Sequence, residues 1–586
     1  MIEKNIFSII GRKVILRIRG RMCETEEELF NSPFFKKFLS IAIERLKQSE
    51  SRLLGIFGTK DIKKQDLDDL TKVFLMLTKM PYEYIIKINP EYSVFFRDIH
   101  LLNDLVEFLY NYWRSFDRFI IADSEGDRLD KRPYRTFNDT NETLTHLVRK
   151  IYRDLQENIT GKHPRIYRQV AAGANFSSIA IQRQLNLPGN SYEILKNIKV
   201  IRQVLLNPPL ILDPPMNKRT GRFQKVNENP LNYIENIDPD EWLCYPANVG
   251  HYLIFIYFHQ KFYELGFSLS NLFELANDEY LKRRPDAIYL FGVPGKSLYR
   301  LSELPTVFYD DKDNNILIAT IPNDDTFGYF GYLKKMVLTL HNVIVMKKGL
   351  LPYHGAFFKI ILKNNRESNI LIIGDSGSGK SETIEAMRIL GEELIKDMIV
   401  IADDMGSIEI KDDGEIIAYG TEIGAFLRLD DLPTGYAFGQ IDRAIIMSPT
   451  KVNARIVIPV TTYETVIKGH KVDLLFYANN YEEIDEDHPT IERFNTPEEA
   501  LKVFREGTVM SKGTTTSTGI VHSYFANIFG PPQYKDLHEK IAVKYFNHFF
   551  RNNLFVGQIR TRLGIKGFEK KGPEESAREL IKLLEK

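Results

Sequence analysis

Apolar positions at Leu67, Leu70, Val73, Phe74 and Leu77 recur at the three- and four-residue spacing of a single helix face, and Pro81 stands just beyond to stop the helix. Residues 101–118 and 142–156 carry the same mixed apolar and charged texture, so the first 200 residues are expected to be mainly helical. A polar, proline-rich stretch then runs from Pro208 to Pro239, a domain boundary or a substrate-facing loop. After it the pattern shortens. Ala287 to Phe291 and Ile316 to Ile321 are strand-like, with Asp313-Asn314-Asn315 as a turn before the second. From Ile370 onward strand and helix patterns alternate, the arrangement of an α/β nucleotide-binding layer. The tail from Pro573 to Lys586 predicts one amphipathic surface helix. The chain shows no internal repeat. The expected division is a helical accessory domain over 1–205, a substrate-side α/β domain over 206–330 and a nucleotide- and metal-binding catalytic domain over 331–586.

Composition narrows the classes. Among 586 residues, 78 Lys+Arg balance 78 Asp+Glu, which argues against a generic nucleic-acid binder. Hydrophobic residues make up 43%, enough for a large core, so disorder throughout is excluded. Cys23 and Cys244 are too few for a disulfide framework or a thiolate metal site, and a reducing compartment is expected. No apolar run is long enough to span a bilayer, and Tyr252 to Phe258 is a core segment. The N-terminus interleaves Glu3, Lys4, Arg12 and Lys13 with apolar residues, unlike a signal peptide. A soluble cytoplasmic protein without membrane or nucleic-acid partners is therefore expected.

The strongest chemical signal is Gly374-Asp375-Ser376-Gly377-Ser378-Gly379-Lys380-Ser381, a complete G-x-x-x-x-G-K-[ST] phosphate loop. Asn369 to Ile373 before it is a buried-strand run, and a helix pattern starts at Glu382. Glycines let backbone N–H groups wrap phosphate oxygens, and the helix N-terminus adds positive potential. Lys380 is then expected on the β and γ phosphates of ATP, and Ser381 on Mg²⁺. Met398-Ile399-Val400-Ile401-Ala402-Asp403-Asp404 follows, an apolar strand ending in two carboxylates. One of them suits a hard cation, while the other suits a base or a water-orienting group.

Three further blocks resemble the ATP-dependent phosphoenolpyruvate carboxykinases. Tyr329-Phe330-Gly331-Tyr332-Leu333-Lys334-Lys335 is similar to their Tyr-Ala-Gly-Glu-Met-Lys-Lys. Gly349-Leu350-Leu351-Pro352-Tyr353-His354 is similar to Gly-Val-Leu-Pro-Met-His, and Asn453-Ala454-Arg455-Ile456-Val457-Ile458-Pro459 to Asn-Thr-Arg-Val-Ser-Tyr-Pro. With the phosphate loop they stand in the family's order from Tyr329 to Pro459. The resemblance implies a carboxykinase-like P-loop α/β fold and conversion of oxaloacetate and ATP to phosphoenolpyruvate, ADP and CO₂. It implies Mn²⁺ on Lys335, His354 and Asp404, with Tyr329 and Arg455 facing oxaloacetate or phosphoenolpyruvate. Thr220-Gly221-Arg222 resembles a segment whose arginine grips the substrate carboxylate, and Lys512-Gly513 resembles a nucleotide-contacting Arg-Gly. A lysine can ligate metal only when neutral, so Lys335 should have a depressed pKa, helped by Lys334 and the dication. His354 is an ordinary imidazole ligand, and Arg455 offers a planar fork for a carboxylate or phosphate. His341, His470 and His538 have no assigned chemistry and are read as structural.

The chain departs from that family at Tyr332, where the pattern has Glu, and at Met405-Gly406-Ser407-Ile408, where it has Glu-His-Gly-Trp. The interval between Lys380 and Asp403 is also longer than the family's. Residues Gly374 to Thr383 are closer to the Gly-Asp-Ser-Gly-x-Gly-Lys-Ser-Glu-Thr loop of the bacterial HPr kinase/phosphorylases. Ala402-Asp403-Asp404 and His354-Gly355 also resemble segments of that family. That resemblance implies a kinase with Asp403 or Asp404 as general base for a serine or small-molecule hydroxyl. A non-catalytic nucleotide-binding regulator is the third class, and the intact Lys380, Ser381, Asp404, Lys335 and His354 argue against it.

Overall fold

A computed structural model describes residues 6–19, 22–59, 61–124, 132–219, 222–429, 432, 441–511 and 519–585. The chain is mixed α/β and divides into two compact units, residues 1–183 with 199–210, and residues 184–198 with 211–586. Among the described residues no helix is long and apolar enough to cross a membrane.

The first unit holds the expected helices, including Lys64–Leu77, Ile99–Arg114 and Arg132–Thr160. Among its described residues it also holds five strands, in spatial order Ile6–Ile10, Lys13–Ile18, Asp117–Ser124, Phe176–Ile181 and Val200–Leu206. The central three run parallel and the outer pairings are antiparallel. These strands are short, and long helical stretches precede Asp117–Ser124 and Phe176–Ile181, so their signal is diluted in any wide window; Phe176–Ile181 is buried at every position and lacks alternation. Helical faces carrying Phe30, Phe38, Leu70, Phe74, Leu102 and Leu105 form this unit's core.

The second unit is built around the helix Phe330–Lys347, buried along almost its whole length. It packs on one side against a sheet containing Tyr252–His259, Ala287–Val293 and Ile316–Pro322, and on the other against the strand Leu351–Leu362. A helix buried all round belongs between two layers. Gly349, at φ +77°, ends it and turns the chain into Leu351–Leu362. That strand pairs with Glu367–Ile373 on one edge; along the other it pairs with Ile395–Ala402 and then with Met405–Ile410. Leu474–Asn479 and Phe555–Arg560 extend the sheet in parallel.

Strand register brings the chemical segments to one end of this sheet. Gly355 pairs with Ile373, the last strand residue before the phosphate loop, while Phe357 pairs with Ala402 and His354 with Met405. The Gly374 N–H then donates to the His354 carbonyl at 3.1 Å, and the Gly355 N–H to the Asp404 carbonyl at 2.9 Å. Met405-Gly406 could not carry the family's Glu-His: a Cβ on Gly406 would lie 2.2 Å from the Tyr353 ring and from the Tyr419 carbonyl.

Candidate functional site

The phosphate loop connects the strand Glu367–Ile373 to the helix Lys380–Leu390. Gly377 and Gly379 adopt φ +77° and +95°, conformations that L side chains resist. At Gly379 a Cβ would also lie 2.5 Å from Thr561 Oγ1. The loop is braced from outside: the Thr561 hydroxyl donates to the Ser378 carbonyl at 2.7 Å, and Asn480 Nδ2 to the Gly377 carbonyl at 2.9 Å. Lys380 Nζ donates inward to the Gly374 and Asp375 carbonyls at 2.6 and 3.1 Å. Burial lowers its pKa, against the opposing pull of Asp375, Asp404 and Asp403. Ser376 and Ser381 are exposed at the loop mouth, while Ser378 is buried beneath it.

Beside the loop stands a chain of four ionisable groups. His354 Nε2 lies 2.9 Å from Asp404 Oδ1, and Lys334 Nζ lies 2.7 Å from Asp404 Oδ2 and 3.0 Å from Glu422 Oε1. His354 Nδ1 meets the Ala526 carbonyl, which orients the ring so that Nε2 faces Asp404. Lys334 and His354 hold the Asp404 carboxyl well below its usual range. Asp403, penalised by burial and by Asp404, is pushed up, and the charges of Lys334 and Lys380 oppose that rise. Burial pushes the Glu422 carboxyl up, and the Lys334 ammonium opposes that rise.

Lys335 has the opposite surroundings to its neighbour. Burial first, then the Arg219 charge, lower it to about 8, with Asp404 and Asp375 opposing. Its ammonium lies 5.3 Å from the centre of the Phe529 ring, which also packs against His354 at 5.8 Å. A lysine so depressed is the one of the pair able to present a neutral amine. Among the described residues no three His, Cys, Asp or Glu side chains gather as a metal cluster. A divalent cation here would use His354, an Asp404 oxygen and the Lys335 amine, and this donor set fits one.

The substrate-side expectations divide. Tyr329 is buried at the start of the helix Phe330–Lys347, its ring 6.0 Å from Phe426. Arg455 begins the strand Arg455–Pro459 and places its guanidinium 5.3 Å from the same ring, its Nε buried without a hydrogen-bond partner among the described residues. Phe426 is thus shared by Tyr329, Arg455 and, at 6.0 Å, Lys334. Arg222 is not brought in: it is exposed, and its carbonyl accepts from the Thr306 hydroxyl at 2.6 Å. Arg219, three residues earlier, comes instead: its guanidinium lies 5.0 Å from the centre of the Phe223 ring, and its charge helps depress Lys335. Lys451 anchors its segment, reaching the Pro214 carbonyl at 3.2 Å and Asp213 at 3.0 Å. Tyr332, which replaces the family's Glu, is buried in an aromatic cluster with Phe327 and Phe223. Thr220, Gly221 and Lys512 lie outside the described residues.

Sequence reasoning missed Lys334 as the bridge, Glu422, Arg219, Ala526 and Phe529. A Lys-Lys pair shows that one member faces the site without saying which, and a carbonyl or an aromatic floor carries no sequence signal. No protein-family model matches the chain, and no curated protein matches it.

Proposed function

We propose that this site transfers the γ-phosphoryl group of ATP, with phosphoenolpyruvate carboxykinase-type chemistry on oxaloacetate as the leading reading. The observation that carries it is the ladder register that sets His354 and Asp404 directly beside the phosphate loop, Gly374 N–H on the His354 carbonyl and Gly355 N–H on that of Asp404. Lys380 and the loop N–H groups would hold the triphosphate. His354, Asp404 and Lys335 would hold a divalent cation, which when bound supplies charge stabilisation for the enolate and phosphoryl oxygens. Arg455, Arg219 and Tyr329 would orient the anionic acceptor, the arginines through their planar forks. Decarboxylation breaks the carbon–carbon bond to the carboxylate and leaves an enolate oxygen; that oxygen takes the phosphoryl group as ADP departs.

A second reading, an HPr-kinase-like transfer to a hydroxyl, draws on Asp403. A raised carboxyl between Lys334 and Lys380 is poised to accept a hydroxyl proton. The two readings part in one assay: purified protein with ATP, Mg²⁺ and Mn²⁺, with and without oxaloacetate, read for phosphoenolpyruvate. Product formed only with oxaloacetate, and lost in His354→Ala, supports the carboxykinase. Nucleotide binding without phosphoenolpyruvate removes that reading and leaves the hydroxyl kinase.

A further inference from the structure

Glu422 lies outside every motif described above, yet its carboxylate is buried at the core of the site. It follows the strand Ile416–Gly420, with its side chain 2% exposed and Oε1 3.0 Å from Lys334 Nζ. The Lys334 side chain is 3% exposed, so this ammonium has almost no access to water and depends on Asp404 and Glu422 for counter-charge. Asp404 is the more exposed partner, at 24%, and both its oxygens are engaged, Oδ1 by His354 and Oδ2 by Lys334.

We infer that Glu422 is a positioning residue that tunes divalent-cation binding at His354 and Asp404 by holding Lys334; the inference rests on the metal-dependent reading above. A cation arriving at Asp404 must draw Oδ1 from His354 and share the carboxylate's charge. Lys334 then keeps Glu422 as its undivided counter-ion. With Glu422 neutral, Lys334 leans on Asp404 alone, competes with the incoming cation for that carboxylate and repels it at close range. Glu422 therefore acts through Lys334 and needs no contact with the cation. Groups in this position commonly shift metal affinity by about 10- to 100-fold. A purely structural role for Glu422 makes a different demand: its loss would weaken the fold whether or not Lys334 is present.

The test is direct Mn²⁺ binding to the full-length protein, followed by electron paramagnetic resonance, with ATP binding in the absence of divalent cations measured by calorimetry. The proteins are wild type, Glu422→Gln, Glu422→Asp, Lys334→Met and the Lys334→Met/Glu422→Gln double variant. Glu422→Gln should weaken Mn²⁺ binding about 10- to 100-fold with cation-free ATP binding unchanged, and Glu422→Asp should recover part of the loss. The double variant removes one charge of each sign and should return Mn²⁺ binding toward wild type. Unchanged Mn²⁺ affinity in Glu422→Gln, or a double variant no better than it, overturns the role of Glu422 and leaves the phosphoryl-transfer reading standing. Wild-type protein that binds no Mn²⁺ overturns both.

Discussion

His354 and Asp404 face one another at 2.9 Å, Nε2 to Oδ1, although His354 sits in the strand Leu351–Leu362 and Asp404 in the bend between Ile395–Ala402 and Met405–Ile410, fifty residues on. The contact follows from the antiparallel pairing of His354 with Met405, which sets Asp404 next to the imidazole, while the Ala526 carbonyl occupies the other ring nitrogen. Asp404 thereby becomes the common partner of an imidazole and of the Lys334 ammonium. Asp404→Asn should remove that shared charge and leave Lys334 buried with one carboxylate. A loss of about 1–3 kcal/mol in unfolding free energy is expected. Denaturant unfolding of the two proteins at pH 7 measures it, and an Asn variant as stable as wild type would show that the ion pair is not holding the site together.

Lys380 fills its own loop, bonded to the Gly374 and Asp375 carbonyls. A triphosphate would take the ammonium away from them. Lys380→Ala should therefore lower nucleotide-dependent phosphoryl transfer by at least about 100-fold, because the charge is aimed at the β and γ phosphates. Its thermal midpoint should move little, since the loop is braced independently by Thr561 and Asn480. Turnover and circular-dichroism melting separate the two effects.

Much of this site was legible in the sequence because phosphate loops and strand-end carboxylates are local patterns: Gly374 to Ser381 and Asp403-Asp404 each stand on one turn or one strand end. The assignment of partners was not, because it depends on long-range register. Lys334 and Lys335 are adjacent, yet one is clamped by two carboxylates and the other lies over Phe529 beside Arg219. Arg219 and Arg222 are three residues apart, and spacing alone does not say that Arg219 lies over Phe223 while Arg222 is exposed. In the first unit, strands such as Phe176–Ile181 were hidden by being buried on both faces, with Ser177 and Ser178 breaking any apolar alternation.

Lys335 makes the folded protein's stability depend on pH in a definite direction. Its folded value, about 8, lies below the ordinary 10.5, so between those values the unfolded chain carries a proton the folded chain lacks. Stability contributed through this group therefore rises with pH from about 8 to 10.5, and below 8 folding carries the cost of a buried charge. Lys335→Met should be more stable than wild type at pH 7, and the two proteins should converge as pH approaches 10.5. Melting curves across that range check the sign, and a parallel pair of curves would refute it.

Arg118 tests the first unit alone. Its guanidinium donates to the carbonyls of Gly173, Phe116, Arg114 and Trp113 at 2.6, 2.8, 2.9 and 3.3 Å, with a side chain almost wholly buried. No carboxylate in the described structure bonds it, so its work is to satisfy strand-end and loop carbonyls. Arg118→Met keeps the volume and strips four acceptors of their donor, which should cost about 2–4 kcal/mol. Hydrogen exchange should localise the loss to residues around 113–118 and 171–175, and global unfolding without that pattern would contradict the assignment.

Arg219 and Arg222, three residues apart, give the sharpest contrast. Arg219 lies over the Phe223 ring and its charge lowers Lys335, whereas Arg222 is exposed and its carbonyl accepts from Thr306. Arg219→Ala should raise the acceptor's KM by about 10- to 100-fold, the loss of one charge-assisted bond, with nucleotide affinity unchanged. Arg222→Ala should leave both within about twofold, because its side chain takes no part. Arg455→Ala should abolish turnover while ATP still binds, and Arg455→Lys should not restore it, since a lysine lacks the planar fork that lies over Phe426. Steady-state kinetics and calorimetry on the four variants decide the matter: a larger KM effect at Arg222 than at Arg219 would return the substrate arginine to the position the Thr-Gly-Arg motif suggested.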